Sequence, residues 1–358
     1  MKIIHCADLH LDSKIETLPT EKSKIRREEI VRTFERLVDF AKQNEVRAVI
    51  IAGDMFDTKR VTVRTRERVL QAVKQAPSVD FIYLSGNHDD ENFIENEGQL
   101  PENFKVVLDD WTKFVYGNVV ISSVKLSSLN EQTVYDNLYL SENDVNIVAL
   151  HGQIADYITS EKAEKISLPK LKDKHIDYLA LGHIHEKIVG KLDLRGKYAY
   201  SGCLDGRGFD ELEEKGFFLL DIDGKNIKEE FINFSSRVLH EFEYDVTDKN
   251  SWIEVKNDII SLLENKIDKS SLIKVVIKGS HGTDFDVDKQ GLSSRLNELF
   301  FFAKVYDRTE LKINADDYLM DKSVRGEFVR VVLESDLTSE EKSKIIMCGI
   351  NAIKGEDF

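Results

Sequence analysis

Through about residue 235 the chain alternates short, unbroken apolar runs with longer stretches whose apolar positions recur at helical spacing. Residues 2–6, 48–52, 81–85, 146–150 and 176–181 are rich in Ile, Val, Leu and Tyr. Runs of that kind suit strands covered on both faces. Between the first two, Ile30, Val31, Phe34, Leu37, Val38 and Phe40 stand among charged residues at the period of an amphipathic helix. After about residue 186 the pattern changes. Residues 196–201, 216–222 and 226–234 read as antiparallel strands, with Asp223-Gly224 as a hairpin turn between the last two.

A second pattern begins near His240. A strand at 240–246 precedes a helix carrying Ile259, Ile260, Leu263 and Ile267 on one face. A strand at 272–278, a helix with Leu292, Leu296, Leu299 and Phe300, and a strand at 303–307 complete a small α/β unit. The polar stretch 314–322 reads as a linker. Beyond it, 324–334 and 339–354 form a predicted helical pair, with Thr338 and Glu341 placed as a capping box before the second. The expected domains are 1–235, 236–312 and 313–358.

Composition narrows the class. With 41% hydrophobic and 32% charged residues among 358, the chain suits packed domains rather than disorder. A formal net charge of -15 means that any contact with nucleic acid has to come from a local basic patch. Cys6, Cys203 and Cys348 form no CxxC pair, which argues against a zinc-thiolate site and a disulfide framework, and they fit a reducing compartment. Cys6 and Cys203 read as small packing residues. The apolar start is too short for a signal-peptide core and no run approaches a membrane span, so the expected location is cytoplasmic.

The polar residues that end the strand-like runs carry the chemistry. Asp8-Leu9-His10 follows the first run, Gly53-Asp54-Met55-Phe56-Asp57 the second and Gly86-Asn87-His88-Asp89 the third. His151-Gly152 and Gly182-His183-Ile184-His185 follow the fourth and fifth. Asp, Asn and His are the oxygen and nitrogen ligands of divalent metals. In open α/β sheets, ligands gather at the carboxyl ends of strands. Alternation along an extended strand end lets Asp8 and His10 point the same way, and likewise His183 and His185. Glycines at 53, 86, 152 and 182 let the backbone turn sharply beside them.

These five motifs, in this order, resemble the DxH, GDxxD, GNH(D/E), H and GHxH pattern of the calcineurin-like metallophosphoesterases. The resemblance covers roughly residues 1–235. It implies an α/β fold: a metallophosphoesterase β-sandwich core flanked by helices, with a small α/β capping domain and a C-terminal helical pair. By the same resemblance, Asp8, His10, Asp54 and His185 hold one metal, and Asp54, Asn87, His151 and His183 hold the second, with Asp54 bridging. Two such ions clamp a phosphoryl group and activate a water. His88 then polarises the phosphate or protonates the leaving oxygen. Asp57, counted with His88 in the catalytic set, and Asp89 orient ligands.

Within that family the opening IIHCADLHLDS, the run from Tyr200 to Phe217 and the appended small domain are similar to the DNA-repair nucleases of the bacterial SbcD and YhaO types. The SbcD type commonly carries His where Asp57 stands. That departure brings the chain nearer the YhaO type. The resemblance implies a metal-dependent DNA phosphodiesterase: an exonuclease, with endonuclease activity as a second mode. Manganese is the implied ion; the ligand set also admits iron or zinc. A homodimer is implied, and so is a partner, an SMC-like coiled-coil ATPase of the SbcC type, docking on the C-terminal helices.

Between Thr58 and Ala76, Lys59, Arg60, Arg64, Arg66, Arg68 and Lys74 face only Glu67. This basic segment directly follows the GDMFD loop, and with it Arg64, Arg66 and Arg68 become candidate DNA phosphate contacts; otherwise they form a solvated helix face. Arg207, in a glycine-rich turn, is a further candidate. Two rival readings stand beside the nuclease. One is a small-molecule phosphodiesterase or phosphatase using the same site. The other is a non-catalytic DNA-binding or assembly module of an ATPase complex, which the intact ligand set disfavours.

Overall fold

The computed structural model describes residues 1–57, 61–86, 89, 100–127, 129–130, 132–155, 164–282, 285–312, 318 and 320–354. The chain folds as two compact units, Met1–Val238 and Leu239–Phe358.

The first unit is built on two six-stranded sheets. One has the order β14 (Asn226–Asn233), β13 (Gly216–Asp223), β1 (Lys2–Cys6), β2 (Val46–Ala52), β3 (Asp80–Leu84) and β4 (Phe104–Val107). The other has the order β11 (Ile188–Lys191), β12 (Lys197–Tyr200), β10 (Tyr178–Gly182), β7 (Val145–His151), β6 (Val119–Ser123) and β5 (Thr112–Tyr116). A short parallel pair, β8 (Gln153–Ile154) and β9 (Lys165–Ile166), lies outside both sheets.

Strands β1 to β4 run parallel, as do β6, β7, β10 and β12. Antiparallel strands close the edges: β13 and β14 in the first sheet, β5 and β11 in the second. The parallel arrangement brings the carboxyl ends of β1, β2 and β3 together in one sheet and those of β7 and β10 together in the other. Strand β12 is parallel to β10, where the sequence suggests an antiparallel strand; the Asp193–Gly196 turn reverses the chain only between β11 and β12.

The sheets face each other across a shared core. Ile3, Ala48, Ile50, Ala52 and Ile82 from the first pack with Ile121, Ile147, Ala149, Tyr178 and Ala180 from the second. Because strand side chains alternate, the opposite faces of these strands also need cover. Helix α1 (Thr20–Gln43) packs on β2 and on α2 (Val63–Lys74). The second sheet is covered by the segment holding Val134, Tyr135 and Leu138 and by Leu171, at the end of the single-turn α3 (Leu168–Leu171). Burial on both faces is why these strands read as continuous apolar runs. Strands β4 and β5 escape that reading because they are shorter or half-exposed; β5 alternates half-buried and exposed positions.

Two buried polar devices tie this unit together. His5 sits between the sheets, where the Tyr178 hydroxyl donates to its Nδ1 at 3.0 Å and its Nε2–H donates to the Leu181 carbonyl at 3.2 Å. Burial lowers its pKa to about 3, so the ring stays neutral. Arg26 of α1 is fully buried and paired with Asp205, and it donates to the Gly206 carbonyl at 2.7 Å. Asp205 also accepts from Thr33 of α1 at 2.8 Å and from the Ser236 backbone at 3.0 Å.

The second unit opens with a parallel sheet of β15 (Leu239–Asp245), β16 (Leu272–His281) and β17 (Phe302–Leu311). Helices α4 (Trp252–Lys266) and α5 (Lys289–Leu299) form the crossovers, and Ile259, Leu263, Leu292 and Leu296 join Ile273, Val275 and Ile277 in one core. Then α6 (Val324–Leu333) and α7 (Ser339–Lys354) pack on each other through Val329, Val332, Ile346 and Ile350. Tyr318, within the stretch read as a linker, is buried in that cluster. The expected capping box forms: Thr338 N–H donates to Glu341 at 2.9 Å, and Glu341 N–H to Thr338 Oγ1 at 3.3 Å. Among the described residues no helix is long and apolar enough to cross a membrane.

Candidate metal centre

Six of the expected ligands meet at the carboxyl ends of the parallel strands, in two groups. Asp8, His10 and His185 form one, and Asp54, His151 and His183 the other. Within each group the ligand atoms lie within 4.8 Å of one another. Asp54 stands between the groups: its Oδ2 is 4.0 Å from His10 Nε2 and 3.5 Å from His151 Nε2. Asn87 and His88 lie outside the described residues, and so do Lys59 and Arg60.

The backbone is bent to make this possible. Asp8, His10, Asp54 and His183 all adopt positive φ, at 51°, 46°, 49° and 100°. Such conformations cost free energy in residues with a Cβ and concentrate at functional sites. Backbone bonds hold the loops in place: Asp8 N–H donates to Gly53 O at 3.1 Å and His10 N–H to Asp54 O at 3.0 Å. Two glycines are dictated by close approach. A Cβ at Gly53, where φ is +93°, would stand 2.0 Å from His151 Nδ1; one at Gly182 would stand 1.8 Å from the Ala52 carbonyl oxygen.

Three of the imidazoles are turned by what their far nitrogen bonds. His10 Nδ1 is 3.0 Å from Asp57, which Ser13 also holds at 2.8 Å. His185 Nδ1 is 2.8 Å from Glu211. His151 Nδ1 donates to the Ala52 carbonyl at 2.9 Å. These bonds leave the Nε2 atoms facing the cleft, and those of His10 and His185 are 3.0 Å apart. Two ring lone pairs at that distance, beside the buried carboxylates Asp8 and Asp54, call for a cation between them. The donor set, nitrogen from His and oxygen from Asp, fits a divalent metal.

The electrostatics follow the same layout. Burial raises the pKa of Asp8, opposed by the neighbouring imidazoles. Burial opposes ionisation of Asp57 too, but hydrogen bonds from His10 and Ser13 and the charge of Arg207 prevail and hold it at about 2. Burial would lower His151, yet the facing Asp54 carboxylate raises it to about 10. Asp89, pushed up to about 7 by burial and by Asp54, accepts from Phe56 N–H at 2.8 Å and Gly86 N–H at 2.7 Å. It thereby pins the third ligand loop to the second.

The four candidate phosphate contacts separate. Arg68 is held by Glu35 at 2.7 Å and Glu28 at 2.8 Å on α1. Arg66 is half-buried. Arg64 is 75% exposed, with Glu28 at 3.1 Å. Arg207 turns inward, 2.6 Å from Glu211 and 3.4 Å from Asp57. Cys6 and Cys203 are buried, consistent with packing roles.

Sequence reasoning missed two residues. Asp12 accepts from Thr62 N–H at 2.7 Å and Thr65 Oγ1 at 2.9 Å, tying the start of α2 to the loop after β1. Glu211, behind His185, lies in the glycine-rich run that carried part of the family resemblance. Its position after that turn was the available signal, but only folding shows which ring it meets.

The model of the calcineurin-like phosphoesterase family matches residues 1–187. The chain belongs to that family, and its two metal-binding sites make up a binuclear metal-dependent phosphoesterase centre. Among similar proteins, the DNA double-strand break repair protein Mre11 of Sulfolobus acidocaldarius is 26% identical over 325 residues, covering 86% of this chain and 81% of that one. The uncharacterized metallophosphoesterase YhaO of Bacillus subtilis is 23% identical, covering 78% and 72%. A subunit of the nuclease SbcCD from Staphylococcus saprophyticus is 23% identical, covering 65% and 68%.

Proposed function

We propose that this protein is a two-metal DNA phosphodiesterase of the Mre11 and SbcD type, an exonuclease with an endonuclease mode, acting in DNA repair. The observation that carries this reading is the pair of ligand clusters meeting at Asp54, in a chain similar along most of its length to relatives named for DNA repair. Asp8, His10, Asp54 and His185 hold one ion, and Asp54, Asn87, His151 and His183 the other, with manganese as the ion assigned. When bound, the pair supplies Lewis-acid charge to a phosphodiester and generates a nucleophile from water near neutral pH. Asp54 serves both positions with one carboxylate. Asp57 holds His10, and Asp89 ties the loop after β3 to the loop after β2. His88 gives its proton to the leaving oxygen.

Arg64 is the displayed member of the basic segment and contacts a DNA phosphate. With manganese, the protein is expected to release nucleotides from duplex DNA of defined ends faster than it turns over an aryl phosphodiester. Arg64→Glu is expected to weaken DNA binding and to lower the salt slope by about 1. Turnover of the aryl ester with DNA left intact would replace the nuclease by a small-molecule phosphodiesterase.

The chain works as a cytoplasmic homodimer with an SMC-like coiled-coil ATPase of the SbcC type, which docks on α6 and α7. Val324, Val331, Ile345 and Ile353 remain exposed on these helices after the pair has packed, which supports the assignment. Co-purification of such an ATPase is expected with the full chain and not after removal of residues 323–358. Equal recovery from both would reject the docking role.

A further inference from the structure

We propose that Arg207 is a positioning residue of the metal centre: through Glu211 and Asp57 it holds His185 and His10, which come from opposite sheets, in one ligand geometry. The inference rests on the reading of the clusters as a binuclear centre. It assigns this arginine to the ligands rather than to the substrate.

His10 follows β1 of the first sheet, and His185 follows β10 of the second. Behind His10 stands Asp57, in the loop after β2, at 3.0 Å from its Nδ1. Behind His185 stands Glu211 at 2.8 Å, in the segment that crosses from β12 of the second sheet to β13 of the first. A carboxylate oxygen that close to a ring nitrogen requires a hydrogen between them. Both Nδ1 atoms therefore donate outward, and both Nε2 atoms, 3.0 Å apart, serve the cleft.

One guanidinium joins the two carboxylates. Its Nη2 donates to Glu211 Oε1 at 2.6 Å, the same oxygen that takes His185 Nδ1. The 3.4 Å between Nη2 and that ring nitrogen is the spacing of two donors converging on one acceptor. Its Nη1 reaches Asp57 Oδ1 and Ser13 Oγ, each at 3.4 Å, and that Asp57 oxygen is the one that takes His10 Nδ1. The Arg207 backbone N–H donates to Glu211 Oε2 at 2.7 Å. The planar fork spans acceptors on separate elements at once, which an ammonium on a flexible stem does not do in a fixed geometry.

The sign of one effect separates the possible roles. A guanidinium beside the ligands of a cation repels that cation, so by charge alone its removal tightens metal binding. Loss of a phosphate contact leaves metal affinity unchanged. Loss of a positioning residue weakens it, and removing an outer partner of a metal ligand typically costs about 10–100-fold in affinity.

The test is calorimetric titration of the full, metal-free chain with manganese(II) alone. The wild type is expected to bind two ions. Arg207→Met, which removes the fork and its charge, is expected to weaken one of them about 10–100-fold. Arg207→Lys keeps a positive charge against Glu211 and loses the fork, and is expected to weaken the same ion by about 10-fold. Circular dichroism of each metal-free variant confirms folding. Unchanged or tighter manganese binding in folded Arg207→Met, or in Arg207→Lys where the methionine variant does not fold, would overturn the proposal. Fewer than two ions bound by the wild type would instead overturn the binuclear reading.

Discussion

Asp54→Asn is expected to lower phosphodiester hydrolysis by about 10³-fold or more. Asp54 lies close to histidines of both clusters, 4.0 Å from His10 Nε2 and 3.5 Å from His151 Nε2. Replacing one carboxylate oxygen by an amide nitrogen removes an anionic ligand from both positions at once, leaving Asp8 as the carboxylate of the first cluster. Paired ions supply several kcal/mol of transition-state stabilisation, and each ~1.4 kcal/mol is tenfold in rate. Metal content measured beside the rate separates this cause from misfolding. A ligand at about 100 times its Kd stabilises a folded protein by about 2.7 kcal/mol, or roughly 5–10 °C in a domain of this size. Manganese is therefore expected to raise the Tm of the wild type and not of the variant, and chelation to reverse the gain. A variant that retains both ions and full rate would remove Asp54 from its central role.

The second large effect concerns stability. Asp205→Ala is expected to destabilise the first unit by about 3 kcal/mol, because it leaves the buried Arg26 guanidinium with only the partly exposed Glu29 carboxylate, 2.9 Å away, as counter-charge. Arg26 is fully buried and Asp205 nearly so, and Thr33 and Ser236 complete the carboxylate's bonds. The loop anchored there continues directly to Arg207 and Glu211, so loss of the pair should also loosen the support behind His185. Denaturant unfolding measures the first effect and metal affinity the second. Arg26→Met with Asp205→Ala is expected to recover part of the stability, since removing both charges avoids the stranded one. A single variant as stable as the wild type would show that Glu29 alone suffices to balance Arg26.

The ligands were legible because two local signals coincide in them. Asp8, His10, Asp54, His151, His183 and His185 each sit at or just after the end of a strand that is buried on both faces and therefore reads as an unbroken apolar run. Position at a strand's carboxyl end and ligand chemistry can both be read along the chain. The arginines show the opposite case. Arg64, Arg66, Arg68 and Arg207 look alike as basic residues near a ligand loop, yet Arg68 is bound by Glu28 and Glu35 of α1 and Arg207 by Glu211 and Asp57. Whether a cation is displayed or neutralised depends on a partner that is distant in sequence for Arg68. For Arg207 it depends on how one turn folds onto two others.

By itself the sequence determined the order of most of the parallel strands, the class of the centre and the six residues that gather in its two clusters. Each of these is written in local periodicity or in short motifs. The tertiary structure alone decided that Asp54 lies between two clusters and that His10 and His185 converge to 3.0 Å. It also decided that Glu211 stands behind one ring while a backbone carbonyl stands behind another. These facts depend on two sheets meeting face to face, which brings together residues more than a hundred positions apart. No local pattern records the angle or spacing at which the sheets pack.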